Sequence, residues 1–192
     1  MIQTDNFQKV EISHKNHLRE WLEKNHTQSD SVWLVTYKKE IAHKYVSTSE
    51  VLDELLCFGW IDGIRRKWDN EKTIQLISPR RVQTWTKTYK DRFAKLEQLG
   101  LVHESGFQSV KASKENGLWD FMNDVDALIK PQDLIDCMNK HPESMANFDS
   151  INASSKRFML RYIKIAKTPE TRSKRILEIT LLAQKGEKLK GS

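Results

Sequence analysis

Every strand-like segment of this chain lies upstream of Pro79, and the residues beyond it carry only helical periodicity. A chain that segregates its strands in this way does not build the alternating β-α units of a doubly wound parallel sheet. The order points to an α+β fold, with a small antiparallel sheet and its helices in the N-terminal part and an all-helical C-terminal part. Three strand segments are expected. "SVWLVTYKK" (31–39) is β-branched and aromatic with both alternating faces apolar, the pattern of a strand covered on both sides. "IRRKW" and "TIQLIS" flank the polar turn "DNEK" and predict a hairpin across residues 64–78.

The helices follow from caps and stripes. Ser13 is placed to cap a helix to about Asn25, with Leu18, Trp21 and Leu22 on one face. Ser47 and Glu50 form a capping box before a helix from Thr48 to about Phe58, which Gly59 stops. Beyond Pro79, Trp85, Tyr89, Phe93, Leu96 and Leu99 recur at helical spacing up to Gly100. A second helix should run through Phe107, Val110 and Lys114 to Gly117. Pro131 and Pro142 suit the first turns of "QDLIDCMNKH" and "ESMANF". A helix over 154–167 carries a wide apolar face that includes Phe158, Met159, Tyr162, Ile163 and Ile165. Thr168 and Pro169 open the last helix, with Ile176, Ile179, Leu182 and Ala183 toward the core. The expected organisation is a domain over 1–120, a helical domain over 121–186 and a frayed tail over 187–192.

With 192 residues, 38% of them hydrophobic, the chain is long enough to bury a core without disulfides or metals. Cys57 and Cys137 sit in apolar helical patterns rather than in a CxxC pair, which predicts buried reduced thiols and a cytoplasmic protein. No secretory leader pattern and no apolar run of membrane-spanning length is visible. The net charge of +6 is uneven: residues 101–150 hold 4 basic against 9 acidic side chains, and residues 151–192 hold 11 against 3. Such a division predicts pairing within the molecule first and an anionic partner second.

The stretch "LCFGWIDG" (56–63) brings Cys57, Trp60 and Asp62 together at a helix end. A nucleophilic cysteine needs a base and an electropositive setting, whereas Cys57 has apolar neighbours at a helix C-terminus, whose dipole opposes a thiolate. The stretch therefore reads as a helix end and bend, with Trp60 and Asp62 as candidate pocket-lining residues. Of six histidines only His14 and His17 have helical ligand spacing, and no third ligand follows, so neither metal nor cofactor is expected. GxSxG, GxGxxG, P-loop and HExxH motifs are missing from the sequence, and no catalytic residue is assigned. The strongest local signal is basic and aromatic. Arg65, Arg66, Lys67, Lys72, Arg80, Arg81, Lys87, Lys90 and Arg92 are interleaved with Trp68, Trp85 and Tyr89, a composition suited to anions and stacked bases. The alternative is a solvated hairpin face with Trp85 and Tyr89 in a buried stripe.

"LCFGWIDG" with its basic hairpin, "SPRRVQTWTKTYKDRFAKLEQLGLV", "KENGLW" and "FMLRYIKIAKTPETRSKRI" together resemble the bacterial YdeI/OmpD-associated, or bacteriocin-protection, proteins from roughly Trp33 to Leu182. Thr84, Thr86 and Tyr89 depart from the residues more usual in that family. The N-terminal half is also loosely similar to YjbR and frataxin-like proteins. The resemblance implies a non-enzymatic stress-protection protein that acts by binding an anionic ligand or a protein partner. The ligand-binding set expected on this reading is Trp60, Asp62, Arg65, Arg66, Arg80, Arg81 and Trp85. Two alternatives stand beside it: nucleic-acid binding through the basic 65–92 surface and the C-terminal helices, and an enzyme with a small-molecule pocket near Trp60 and Asp62.

Overall fold

The computed structural model describes residues 7–191. The chain divides into two compact units, the first ending at Asp120 and the second beginning at Phe121. The fold is α+β, with a four-stranded mixed sheet in the first unit and helices in the second.

In the first unit the elements run β1 (Lys9–Glu11), α1 (Lys15–Asn25), β2 (Val32–Tyr37), α2 (Thr48–Cys57), β3 (Trp60–Lys67), β4 (Lys72–Pro79), α3 (Lys87–Gln98) and α4 (Glu104–Glu115). The sheet order is β1-β2-β4-β3, with β1 parallel to β2 and the other pairs antiparallel. An entirely antiparallel sheet is thus corrected to a mixed one. The three residues of β1 are too short to carry a visible alternation, and α1 supplies the crossover that a parallel pair needs.

The inner face of the sheet supplies Val32, Leu34, Trp60 and Ile77 to a core closed by Leu18 and Leu22 of α1, Val51, Leu55 and Leu56 of α2, Phe93 and Leu96 of α3 and Val110 of α4. Trp33, Val35 and Ile74 form a separate small cluster, with Phe7 and Leu76 packed against it. All six residues of β2 are buried, as its two apolar faces predict. The capping box at Ser47 and Glu50 forms in both directions. His14 rather than Ser13 caps α1, its ring nitrogen accepting from the Asn16 amide at 3.2 Å. Trp85 lies before α3 rather than in its first turn, because Thr86 holds the cap position in extended conformation.

The second unit contains α5 (Asn123–Asp126), α6 (Gln132–Met138), α7 (Ser144–Ser150), α8 (Ala153–Lys164) and α9 (Pro169–Gln184). Its core joins Met122, Val125, Leu134, Met138 and Phe148 to Met159, Leu160 and Ile163 of α8 and Ile176, Ile179 and Ala183 of α9. The apolar face of α8 is narrower than its sequence predicts, since Phe158 and Ile165 are exposed. The acidic middle and the basic tail meet here: Arg172 forks onto Asp133 at 2.6 and 2.9 Å, Lys164 pairs with Asp124, and Arg157 donates to the Asp126 carbonyl. Past Gly186, Leu189 packs on this core and Lys188 reaches Ser155 Oγ at 3.3 Å, contacts that a frayed tail would lack.

Candidate functional site

"LCFGWIDG" is a packing junction. Gly59 ends α2 at φ +71°, and a Cβ there would lie 2.8 Å from the Ser105 carbonyl oxygen; one on Gly106 would lie 2.4 Å from the Cys57 oxygen. Two glycines therefore let the start of α4 rest against the end of α2. The carbonyls that α2 leaves over are satisfied by this approach: His103 N–H donates to Cys57 O at 3.0 Å and Ser105 Oγ to Phe58 O at 3.1 Å. Arg80 N–H closes the Gly59 carbonyl at 2.9 Å. Burial, and then the nearby Glu54 carboxylate, push the Cys57 thiol up to about 11, so it is a packed thiol and no nucleophile. Trp60 is 0% exposed and its indole N–H donates to His26 O at 3.2 Å. β3 begins at this residue, and Trp60 is a core residue rather than an exposed pocket wall.

The expected site residues do not form one cluster. Asp62, Arg80 and Trp85 come together on the inner side of the hairpin. Asp62 accepts from the Tyr89 hydroxyl at 2.9 Å and from Gln75 at 3.4 Å. The Arg80 guanidinium stacks 4.1 Å from the Trp85 ring centre and 5.3 Å from that of Tyr89, and its Nη1 donates to the Gln83 and Thr84 carbonyls. Its Nε and Nη2 are buried with no hydrogen-bond partner among the described residues, and burial pushes the group down to about 10, still charged at neutral pH. Trp85 is 1% exposed. Arg65 is also on the inner face and donates to Thr36 and Thr73 hydroxyls at 3.3 and 2.9 Å. Arg81 is tied to the Ser29 carbonyl at 2.8 Å. These groups brace the hairpin: each arginine is committed to a neighbour by stacking or hydrogen bonds.

Arg66 is the exception, because it reaches the other face. Opposite Leu76, β3 carries both Gly63 and Ile64, an extra residue that shifts the register between Asp62, paired with Ile77, and Arg65, paired with Gln75. Strict alternation would put Asp62 and Arg66 on one face; the bulge returns Arg65 to the inner face and turns Arg66 outward. There the Arg66 guanidinium sits 5.7 Å from the centre of Trp33 and Lys9 Nζ 5.1 Å from that of Trp68. Lys9, Trp33, Arg66, Lys67, Trp68 and Ile74 line an open cleft of about 330 Å³. Trp33 is 4% exposed and forms its floor, while Trp68 is 48% exposed at its edge. The nearby acids have other work. Glu11 is held low by Lys72 and then Tyr37, and the Asp69 carboxylate accepts the Glu71 and Lys72 amides within the turn.

This outer-face cleft is the candidate site. Sequence reasoning missed Lys9, Trp33 and Ile74 in it, and the alternation of Trp33 against Leu34 in β2 was the signal that separates the two faces. Among the described residues, no group of three His, Cys, Asp or Glu side chains is arranged for a metal, and no helix is long and apolar enough to cross a membrane.

Residues 127–186 match a family model described as bacteriocin-protection, YdeI or OmpD-associated. Residues 10–109 match a different model, a domain of unknown function (DUF8412). The hairpin and "LCFGWIDG" thus belong to that second model, and the looser likeness of this half to YjbR and frataxin-like proteins has no support. No curated protein and no solved structure matches the chain. Since the 10–109 match spans just over half of the sequence, the chain belongs to the DUF8412 family and carries a YdeI/OmpD-associated domain after it.

Proposed function

We propose that the protein is a cytoplasmic, non-enzymatic binding protein of bacterial stress protection that holds an anionic partner on the outer face of its sheet. The observation that carries this reading is the cleft itself, in which Lys9 and Arg66 sit over two indoles, Lys67 joins the lining and no carboxylate does. A cation over an indole face keeps its charge and its remaining donors for an incoming anion. Arg66 makes the contact; Asp62, Arg65, Arg80 and Arg81 hold the hairpin that presents it, and Trp60 and Trp85 anchor its base.

The protective role rests on the match of residues 127–186 to the bacteriocin-protection model. A cationic peptide would be repelled by this cleft, so protection runs through an anionic cell component rather than through capture of the peptide. Two unpaired thiols, Cys57 and Cys137, suit a reducing compartment. The test is survival under bacteriocin challenge in a strain that requires the protein. Reversing charge with Arg66→Glu and Lys67→Glu is expected to abolish protection at unchanged levels of folded protein. Full protection by the reversed variant would overturn the reading.

A further inference from the structure

We propose that the anionic partner is single-stranded nucleic acid, a base stacking on Trp68 while Lys9, Arg66 and Lys67 hold the phosphates that flank it. This rests on the preceding reading of the outer face and names its ligand class. Charge alone would suit an acidic peptide equally well. Trp68 decides between them: half of a large apolar ring is left in water at the rim of a basic cleft, with Lys9 on it. A carboxylate side chain has no use for an exposed indole face, whereas an unpaired base has a π-face of its own to lay on it. A duplex would use the cations but not the indole, because its bases are already stacked on each other. An exposed aromatic ring beside a strand end, with cations around it, is also a setting in which splayed single strands are bound, and Trp68 directly follows β3.

The experiment is a fluorescence-anisotropy titration of the full chain with a short labelled oligothymidylate, run beside a duplex of equal length and a polyglutamate peptide. The expected result is that the single strand binds best. Its affinity should fall with salt at a log–log slope of about −2, as three phosphate contacts require. Trp68→Ala should weaken binding roughly tenfold or more, whereas Trp68→Phe, which keeps a ring, should stay within about threefold. The half-exposed position of Trp68 keeps both variants folded, and circular dichroism checks this. Duplex binding equal to single-strand binding, or indifference to Trp68→Ala, overturns the proposal. Polyglutamate bound without the oligonucleotide overturns it but leaves the anionic-partner reading standing. Binding of none of the three removes both.

Discussion

Cys57 has a thiol whose proton is kept by its surroundings, and this gives a measurable sign. Its value in the folded chain, about 11, lies above the ordinary thiol value of 9.0. The resulting stability is therefore complete below the ordinary value and is lost as pH climbs toward 11, by about 3 kcal/mol in all. Urea unfolding at pH 8 and near pH 11 should show that loss, and Cys57→Ala should remove this part of the pH dependence while lowering stability at both. A disulfide reagent should label Cys137, which is partly exposed, and reach Cys57 only on unfolding. The same thiol shows what a sequence can tell at this scale. Its apolar neighbours and helix-end position argued against a nucleophile, and burial is the physical reason that argument holds. Trp60 is core rather than rim because β3 starts at it, with only Phe58 and Gly59 between it and α2.

Among elements, the approach of α4 to the end of α2 depends on Gly106 having no side chain. Gly106→Ala would force a Cβ to 2.4 Å from the Cys57 carbonyl oxygen, a backbone atom that cannot rotate away. A destabilisation of about 3 kcal/mol is expected in chemical denaturation. Gly100→Ala also adds a methyl group, but with no atom within 4 Å of the added Cβ; only its left-handed backbone opposes it, so its cost should be clearly smaller. Most elements were legible because their punctuation is local: Ser47 with Glu50, and Thr168 with Pro169. What escaped was non-local. β1 exists only through its pairing with β2, and the faces of β3 depend on a bulge that no propensity marks. The candidate cleft combines both, which is why six of the seven residues expected at a site serve as braces or core, and Lys9 was not foreseen.

For the molecule as a whole, paired carboxylates govern the response to acid: Glu11 and Glu50 in the first unit, Asp124 and Asp133 in the second. Burial alone would raise Asp124, but the hydrogen bond from Lys164, that from the Val125 amide and the Lys164 charge together outweigh it, and its proton is lost at lower pH than usual; the Arg172 fork lowers Asp133 in the same direction. Depressed carboxyl groups stabilise above the ordinary carboxylate range of about 4 and lose that contribution as pH falls through their folded values. Hydrogen exchange of α6, α8 and α9 in the intact chain should therefore accelerate below about pH 4. Arg172→Met should flatten the acid response, and an unchanged profile would show that these pairs are silent. These commitments also leave fewer cations on the C-terminal helices for a nucleic acid than their sequence offers. The bulge at Gly63 and Ile64 has a consequence of another kind. Removing one of these two residues would leave a regular ladder in which Asp62 still meets Ile77 and Arg65 still meets Gln75. A lineage can thus gain or lose a codon at that point without exchanging the bracing arginines for the outward one, so the inner scaffold and the outer surface are free to diversify on separate schedules.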